Sequence, residues 1–343
     1  MRVLAAPDKF RGSASAVRIA DAIALAASES GWDCDRVPIS DGGEGLLECF
    51  GGPNRESTVT GPSGRPVRAA WRLDGSLAVI EMARASGQSA AGPDHDPVAA
   101  TTRGTGELIA AALDAGAHHV IVGAGGSATT DGGSGAVQVL RDRCPLDGSD
   151  GPLVRVACDV TTAFLDAARV FAPQKGATPE QVRTLAGRLR ERAEEYRELF
   201  GVDVTALAGA GAAGGLAGGL AALGARIERG FDVVAEQVQL TDRVRAADLV
   251  VTGEGRLDAT SSAGKAVGSL AELCAALGTR VRIVAGTVGA DVDPRLAELA
   301  TDLRARFGSR AAWVRPDSCV RAAVAALLRR ECPIPGAGFD WES

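Results

Sequence analysis

The first loop that could do chemistry follows a short apolar run near the start of the chain. It groups one carboxylate with two cations and a hydroxyl, at Asp8, Lys9, Arg11 and Ser13. The helix predicted to follow would attract anions through its free N–H groups and its dipole. An ordinary strand-to-helix turn with a surface ion pair has the same spacing, so this loop alone leaves both interpretations open.

A second acidic loop lies at Ser40–Gly45, where Asp41 is followed by Gly42 and Gly43. Carboxylates among glycines at the start of a helix could coordinate a metal ion or act as a catalytic base. Acidic residues near a helix start also serve as caps. Because turns rarely need three glycines in four residues, the pattern favours a function.

The longest glycine-rich loop, residues 123–135, follows a Val/Ile strand and could bind an anion with its backbone N–H groups. Its candidate ligand-binding residues are Gly125, Gly126, Ser127, Thr129 and Asp131. The loop contains neither the dinucleotide fingerprint GxGxxG nor the Walker pattern GxxxxGK[ST]. A flexible linker is disfavoured because linkers do not usually begin at the end of a buried strand.

Three more segments leave two interpretations open. Asp159 ends an apolar run, and Lys175 precedes a helix. Both could be site residues; alternatively, Asp159 is a buried cap and Lys175 is a solvated surface residue. Gly211 lies in a Gly/Ala segment, 209–215, that is a second anion-binding loop or a place of close helix packing. The last segment again groups carboxylates with cations, at Glu254, Arg256, Asp258 and Lys265.

The elements that must position these loops repeat one plan. The predicted strands are short apolar runs at 3–6, 120–122, 248–251, 281–284 and 311–314. The first four lead into loops at 7–13, 123–135, 252–258 and 285–287, and the fifth precedes the last helix. Such runs alternating with helices indicate βαβ units and a parallel sheet buried on both faces. Ligands bind at the carboxyl ends of such strands, which is where these loops lie. One helix is predicted by local chemistry alone, since Thr178, Pro179 and Gln181 form a capping box and Gly201 would end the element.

The segment 53–103 has a different character, with Pro, Gly, Ser and Thr between short strand candidates, and it predicts antiparallel or mixed sheet. We therefore predict an α/β protein in which residues 1–52 and 245–343 form one domain and residues 53–244 form an inserted mixed α/β domain. The tail from residue 333 has no periodicity, and we expect it to lie loosely on the surface.

Composition excludes several function classes. The formal net charge is −6 and no Lys/Arg-rich block occurs, which disfavours a nucleic-acid partner. No apolar stretch reaches the ~20 residues that a membrane span needs. The seven cysteines form no CxxC pair, and a buried strand is predicted within a few residues of Met1. We therefore expect reduced thiols, no signal peptide, and a cytoplasmic protein that acts as a monomer or homodimer. The loops that follow the apolar runs are rich in Asp, Gly, Lys and Arg and poor in His, which favours phosphoryl transfer over acyl transfer.

Several of these loops together resemble the bacterial glycerate kinase family, the first of its structural classes. The matching motifs occur in the family's order: APDKFRGS at 6–13, DGGEG at 41–45, TRGTGELI at 102–109, GGSATTDGG at 125–133, CDVT at 158–161, FAPQKGA at 171–177, GAGAAGG at 209–215 and VTGEGRLD at 251–258. The resemblance implies a flavodoxin-like domain made from both chain ends, an inserted mixed α/β domain, and a cleft between them for ATP–Mg²⁺ and glycerate. It also implies 2-phosphoglycerate as the product.

The resemblance carries roles onto individual residues. Lys9 and Arg11 would lie near the glycerate carboxylate or the transferring phosphate, and Asp41 and Asp159 would be the general base and the Mg²⁺ ligand, in either order. The glycine loops at Gly42, Gly43, Gly125, Gly126 and Gly211, with Asp8 and Ser13, would bind substrate or phosphate. Ser127, Thr129, Asp131 and Lys175 would line the site, and Glu254, Arg256, Asp258 and Lys265 would complete it.

The chain also departs from the family pattern. Thr130 stands where the family usually has Asn, the segments 141–157 and 164–170 are shortened, and the likeness fades after Val288. These departures affect acceptor choice, so a kinase of another small hydroxy acid or of a glyceryl group is the first alternative. A catalytically inactive binding homologue is the second. A flavodoxin-like or NAD(P)-dependent redox enzyme is disfavoured because the dinucleotide fingerprint is missing.

Overall fold

The computed structural model describes residues 1–93, 95–143, 145–262 and 265–331. Two of the seven cysteines, Cys144 and Cys332, lie outside these residues, as do Gly264 and the tail 333–343. The strands are β1 Arg2–Ala5, β2 Asp33–Arg36, β3 Arg55–Thr60, β4 Pro66–Asp74, β5 Leu77–Glu81, β6 His119–Gly123, β7 Leu153–Ala157, β8 Arg226–Glu228, β9 Leu249–Leu257, β10 Val281–Val288 and β11 Ala300–Asp302.

The α-helices are connected by turns and short 3₁₀ segments. They are α1 Ala16–Glu29, α2 Leu46–Cys49, α3 Ala83–Ser86, α4 Gln88–Ala91, α5 Arg103–Asp114, α6 Ser134–Leu140, α7 Ala167–Phe171, α8 Pro179–Phe200, α9 Leu216–Ala222, α10 Gly230–Gln237, α11 Leu240–Arg245, α12 Ala266–Leu277, α13 Pro294–Leu299, α14 Leu303–Phe307, α15 Ser309–Val314 and α16 Pro316–Glu331. None of the described helices is long and apolar enough to cross a membrane.

The chain divides into two compact units, one made of Met1–Ile39 with Gln239–Ser343 and the other of Ser40–Val238. In the first unit the strands pair in the order β2-β1-β9-β10-β11, and every pairing is parallel. This is the strand order of the flavodoxin-like fold. It confirms the prediction of a flavodoxin-like parallel sheet built from both chain ends.

Apolar residues fix this parallel sheet between helices. Val3, Leu4 and Ala5 of β1 are fully buried, as a strand covered on both faces must be. One covering layer is formed by α1 and α16, whose residues Ile23 and Val320 are also fully buried. The predicted helix after the first loop is confirmed as α1, which begins where the Ser15 side chain accepts a hydrogen bond from the Arg18 N–H.

The second unit contains a mixed sheet in the order β3-β4-β5-β6-β7-β8. The β3–β4 and β4–β5 pairs are antiparallel, whereas β5 to β8 pair in parallel. The prediction of a mixed sheet in this part of the chain is confirmed. So is the capping box: Thr178 and Gln181 make the reciprocal hydrogen bonds, and Gly201 ends α8 in the left-handed conformation.

Three local predictions were wrong. Residues 252–258 and 285–287 were expected to be loops, but β9 and β10 pair with each other through Thr287 and Val288, so both segments are largely strand. Residues 311–314 were expected to form a strand, but they belong to helix α15. A short apolar run has the same composition in either element, and periodicity cannot separate them.

The compact units divide after Ile39 and after Val238. We predicted domain boundaries after residues 52 and 244, and these boundaries stay a prediction. In the second unit, Leu46 and Leu47 of α2 are buried together with Val79 of β5 and Ile121 of β6. The acidic loop before α2 therefore packs with the mixed sheet.

Candidate active site

The second unit brings Asp41 and Asp159 together at the carboxyl end of the mixed sheet. Asp159 lies just beyond the end of β7, and its Oδ1 accepts a hydrogen bond of 3.1 Å from the N–H of Gly230. The Oδ1 of Asp41 accepts one of 3.1 Å from the N–H of Gly43. The two carboxylates are close enough for the charge of Asp41 to raise the pKa of Asp159.

Close backbone contacts at two glycines make this meeting possible. A Cβ atom at Gly230 would lie 2.0 Å from the carbonyl oxygen of Asp41. A Cβ atom at Gly42 would lie 2.8 Å from the carbonyl oxygen of Ala157 at the end of β7, and Gly42 has a φ of +83°. Neither position accepts a side chain without a backbone shift. Gly42 was predicted from the sequence as a site residue, but Gly230, which lies far along the chain, was not.

Burial dominates the electrostatics of Asp159. Burial, and then the Asp41 charge, raise the pKa of Asp159 to about 7. Hydrogen bonds from backbone N–H groups and the positive charge of Arg229 act in the opposite direction but do not offset them. The Oδ2 atom is buried and has no hydrogen-bond partner among the described residues. A buried carboxylate oxygen without a partner is costly, and such groups concentrate at functional sites.

Glu81, which the sequence analysis missed, holds the acidic loop in place. It is the last residue of β5 and is almost fully buried. Its Oε1 accepts hydrogen bonds of 2.9 Å and 3.0 Å from the N–H groups of Gly45 and Leu47, and its Oε2 accepts one of 2.9 Å from Nε of Arg84. An acidic residue that ends an apolar strand was the available signal.

The glycine-rich loop 123–135 packs directly on the acidic loop. A Cβ atom at Gly125 would lie 2.7 Å from Cα of Gly43. Gly126 has a φ of +70°, and the buried Ser127 forms an isolated bridge with Gly87. The loop therefore follows the backbone of its neighbours closely, which is what its glycines permit.

Hydrogen bonds from neighbouring residues hold the carboxylate of Asp131 in place. Its Oδ2 accepts hydrogen bonds of 2.8 Å from both the N–H and the hydroxyl of Thr102, and its Oδ1 accepts one of 3.1 Å from the N–H of Gly133. By contrast, the hydroxyl oxygens of Thr129 and Thr130 are buried and have no partner among the described residues. Asp131 therefore holds the glycine-rich loop in place, whereas the hydroxyl groups of Thr129 and Thr130 make no hydrogen bond with the described residues.

Lys175 is buried rather than solvated. Its Nζ donates a hydrogen bond of 2.5 Å to the carbonyl oxygen of Thr129. Burial lowers its pKa to about 7, although the negative charge of Asp131 acts in the opposite direction.

Gly211 is also in close packing, since a Cβ atom there would lie 2.4 Å from the carbonyl oxygen of Ala163. This contact favours the packing interpretation of segment 209–215.

The first unit places the loop after β1 beside β9. The N–H of Lys9 donates a hydrogen bond of 2.6 Å to Oδ1 of Asp8, and the Lys9 Nζ lies 3.6 Å from the same oxygen. The Ser13 hydroxyl donates to the carbonyl oxygen of Phe10 at 3.1 Å. Gly255 of β9 allows Arg11 to approach, because a Cβ atom at Gly255 would lie 3.1 Å from the Arg11 nitrogen.

Glu254 is the buried carboxylate of this unit. Burial raises its pKa to about 7; Asp8 and Asp258 also raise it, whereas a hydrogen bond with Ser261 and the charge of Lys265 lower it. Its Oε1 is buried and has no partner among the described residues. At the end of β9, Arg256 and Asp258 form an ion pair at 3.2 Å, and the Lys265 Nζ donates to the Thr260 hydroxyl at 2.6 Å.

The structure thus forms two groups from the predicted site residues, one in each unit. Asp8, Lys9, Glu254, Asp258 and Lys265 influence one another in the first unit. The second unit holds the acidic pair Asp41 and Asp159, on which the loop of Gly125 packs. Among the described residues, no group of three or more His, Cys, Asp and Glu side chains is arranged to hold a metal ion. Mg²⁺ commonly needs only one or two carboxylates with substrate phosphates and waters, so the Asp41–Asp159 pair fits it.

Known proteins resemble this chain over most of its length. The sequence profile described as "Glycerate kinase family" matches residues 3–145 and 146–309. The chain is 38% identical over 330 residues to the "Glycerate 2-kinase" of Escherichia coli (strain K12), which covers 85% of this chain and 87% of that protein. It is 40% identical over 329 residues to the "Glycerate kinase" of Bacillus subtilis (strain 168), covering 85% and 86%.

A solved structure has the same fold. It is described as "Crystal structure of putative glycerate kinase 2 from Salmonella typhimurium LT2", and the TM-score is 0.79 at 35% identity, covering 96% of this chain and 99% of that one. The profile match spans most of the chain, and each of the two named relatives matches 85% of it. The chain therefore belongs to the glycerate kinase family, a family of phosphotransferases with an alcohol group as acceptor.

Proposed function

We propose that this protein is an ATP-dependent kinase that phosphorylates a hydroxyl of D-glycerate and forms 2-phosphoglycerate. The observation that carries the proposal is the adjacent, half-buried Asp41–Asp159 pair at the carboxyl end of the mixed sheet, with one buried Asp159 oxygen that has no partner among the described residues. A phosphoryl transfer to an alcohol needs a group that accepts the hydroxyl proton and a group that holds the metal. Two adjacent carboxylates supply both.

The bonds change as follows. The acceptor hydroxyl oxygen forms a bond to the γ-phosphorus of ATP while the bond from that phosphorus to the β,γ-bridging oxygen breaks, and ADP leaves. The hydroxyl proton passes to one carboxylate of the Asp41–Asp159 pair. Bound Mg²⁺ would neutralise charge on the transferring phosphate, and the other carboxylate of the pair would hold it.

The rest of the second unit supports this chemistry by positioning. Glu81 fixes the backbone on the C-terminal side of Asp41 through two N–H groups, and Gly42 and Gly230 let that backbone approach Asp159. Small errors in the position of a catalytic group lower the rate strongly. We propose that these residues act through the acidic pair and do not contact the acceptor.

The first unit supplies positive charge, which phosphates and a glycerate carboxylate require. Lys9 and Arg11 follow β1, Arg256 ends β9, and Lys265 precedes α12. These cations stand in a chain whose formal net charge is −6, so their grouping is a local exception. A cytoplasmic location and a monomer or homodimer stay predictions.

The test is an assay that couples ADP release to an optical signal, with purified protein, ATP and Mg²⁺. D-glycerate is compared with L-glycerate, glycolate, lactate and glycerol, and the product of the best acceptor is assigned by ³¹P and ¹H NMR. We expect turnover with D-glycerate to exceed that with the other acceptors and the phosphate to lie on the 2-hydroxyl.

The other outcomes are equally informative. Strong turnover on a different acceptor would replace D-glycerate and direct attention to the shortened segments 141–157 and 164–170. A folded protein with no turnover on any acceptor would favour the binding homologue and overturn the proposal. A phosphate on the 3-hydroxyl would keep the kinase and correct the product.

A further inference from the structure

A cavity of about 640 Å³ lies in the first unit at the carboxyl ends of β1, β9 and β10. Its lining comes from the loop after β1, from Gly255 and Arg256 of β9, from Gly286 and Thr287 of β10, and from the α14–α15 region. In the sheet, β1 lies between β2 on one side and β9 on the other, so the order of the strands changes direction at β1. The cavity therefore lies at the point where the strand order reverses, the place where open α/β sheets bind ligands.

The cavity is strongly cationic. Of the residues that the structure describes, four arginines line it, Arg11, Arg256, Arg304 and Arg310, and no acidic residue does. Arg256 pairs with Asp258, but Arg11, Arg304 and Arg310 form no ion pair with the described residues. Guanidinium groups bind phosphate oxygens with two parallel hydrogen bonds, and their grouping without acids creates a positive field.

One wall of the cavity is aromatic. Trp313 lines it and its side chain is exposed, with a relative accessibility of 61%. Its ring lies over the loop after β1, because a Cβ atom at Gly12 would be 3.1 Å from the Trp313 Cη2 atom. An exposed indole beside guanidinium groups can stack with a planar base. The profile match to the family ends at residue 309, before Arg310 and Trp313.

We propose that this cavity binds a nucleoside triphosphate, with the base stacked on Trp313 and the phosphates held by Arg304, Arg310 and Arg11. The inference rests on the proposed function, since it locates the ATP of that reaction. The volume is within the range of small-ligand pockets, about 300–1,000 Å³, and is large for a three-carbon acid. A cationic, base-stacking cavity also excludes a metal ion as its occupant.

The experiment measures binding without an acceptor, so it does not depend on turnover. Isothermal titration calorimetry on the full chain gives Kd for ATP, ADP, adenosine and inorganic triphosphate. The variants are Trp313→Ala, Trp313→Phe, Arg304→Ala and Arg310→Ala, and thermal unfolding shows that each is folded. Arg315→Ala is the matched control, because Arg315 is an exposed arginine of the same region that does not line the cavity.

We expect Trp313→Ala to raise Kd for ATP roughly tenfold and to leave Kd for inorganic triphosphate unchanged, since it removes only base stacking. Trp313→Phe should retain most of the ATP affinity. Arg304→Ala and Arg310→Ala should raise Kd roughly tenfold for ATP and for inorganic triphosphate alike. Arg315→Ala should match the wild type.

Unchanged Kd for ATP in both Trp313→Ala and Arg304→Ala would overturn the inference. So would equal weakening of ATP and inorganic triphosphate by Trp313→Ala, or a change in KM for D-glycerate alone. Failure of the proposed function has a different signature: the wild type binds ATP in this way but transfers phosphate to no acceptor. Turnover with normal ATP affinity in every variant would keep the function and reject this location.

Discussion

Asp159, just after β7 of the mixed sheet, and Glu254, in β9 of the parallel sheet, are carboxylates that follow the apolar part of a strand; Glu254 is buried and Asp159 is half-buried. Burial raises the pKa of each to about 7, and each has a buried oxygen without a partner among the described residues. Their neighbours differ. Asp159 lies near a second carboxylate, Asp41, and near backbone N–H groups, and the positive charge of Arg229 lowers its pKa. Glu254 lies near Lys265, and the two residues after it, Gly255 and Arg256, line the arginine-lined cavity.

The side chains of the two units are suited to different chemistry. A pair of adjacent carboxylates repels phosphate but can accept a proton and hold a cation, whereas a group of arginines and lysines binds anions. The acidic pair of the second unit is therefore suited to accept a proton or hold a cation, and the arginine-lined cavity of the first unit is suited to bind an anion. Three predictions test this contrast, beginning with the largest expected effect.

Asp159→Asn and Asp41→Asn should each lower kcat roughly 100-fold or more, because each removes one of the two functions of the pair. Glu254→Gln should lower kcat much less. Asp150→Asn, at an exposed position, is the control and should match the wild type. Steady-state kinetics measures kcat, and electron paramagnetic resonance measures Mn²⁺ binding, which should weaken only in the variant that lost the metal ligand. Full turnover in both Asp variants, or an equal loss in Glu254→Gln, would contradict the comparison.

Gly230→Ala should lower kcat about tenfold and lower Tm, because the new Cβ would lie 2.0 Å from the Asp41 carbonyl oxygen and must separate the two loops. Gly187→Ala is the control for the same substitution: Gly187 lies within α8 and a Cβ there meets no atom within 4 Å. That control should keep wild-type turnover and gain roughly 0.5–1 kcal/mol of stability. If Gly230→Ala kept full activity, the close approach would not be what positions the pair.

Glu254→Gln should stabilise the protein at pH 8 and have almost no effect at pH 4. The raised pKa means that the folded state binds the Glu254 proton more tightly than the unfolded state does. Below about pH 4.5 the Glu254 carboxyl is protonated in both the folded and the unfolded state. As the pH rises to about 7, the free energy of unfolding falls, because burying the ionised group costs roughly 2–3 kcal/mol.

Urea unfolding at the two pH values measures this difference in the free energy of unfolding. Glu198→Gln, at an exposed position of α8, is the control and should give the same small change at both. An equal effect of Glu254→Gln at pH 4 and pH 8 would show that its carboxylate is not destabilised by burial. The contrast between the two units would then rest on Asp159 alone.

Much of the fold could be predicted because its signals are local. The capping box at Thr178 and the left-handed Gly201 define α8 without any distant contact. The apolar run at Val3 predicts a buried strand, and its helix α1 follows where expected. The family resemblance likewise depends on ordered motifs that are read directly from the chain.

The site could be predicted only as a set of loops. Asp41 and Asp159 were both candidates, but nothing in the sequence says that Gly230 brings them together. Lys175 was expected to be a phosphate-binding or solvated cation, and only packing decides that it is buried against Thr129. Residues 252–257 were read as a loop because glycines and charges hide a strand that exists through pairing with β10.

The sequence by itself therefore determined the family, the α/β class, the helices with their own caps and the loops that carry carboxylates and cations. The tertiary structure decided where β9 and β10 end, which carboxylates meet, and that Trp313 lines a cavity with four arginines. The physical reason is that caps and apolar runs act over a few residues. Strand pairing, burial and the pKa of a side chain depend on residues that are far away along the chain and become neighbours only in the folded state.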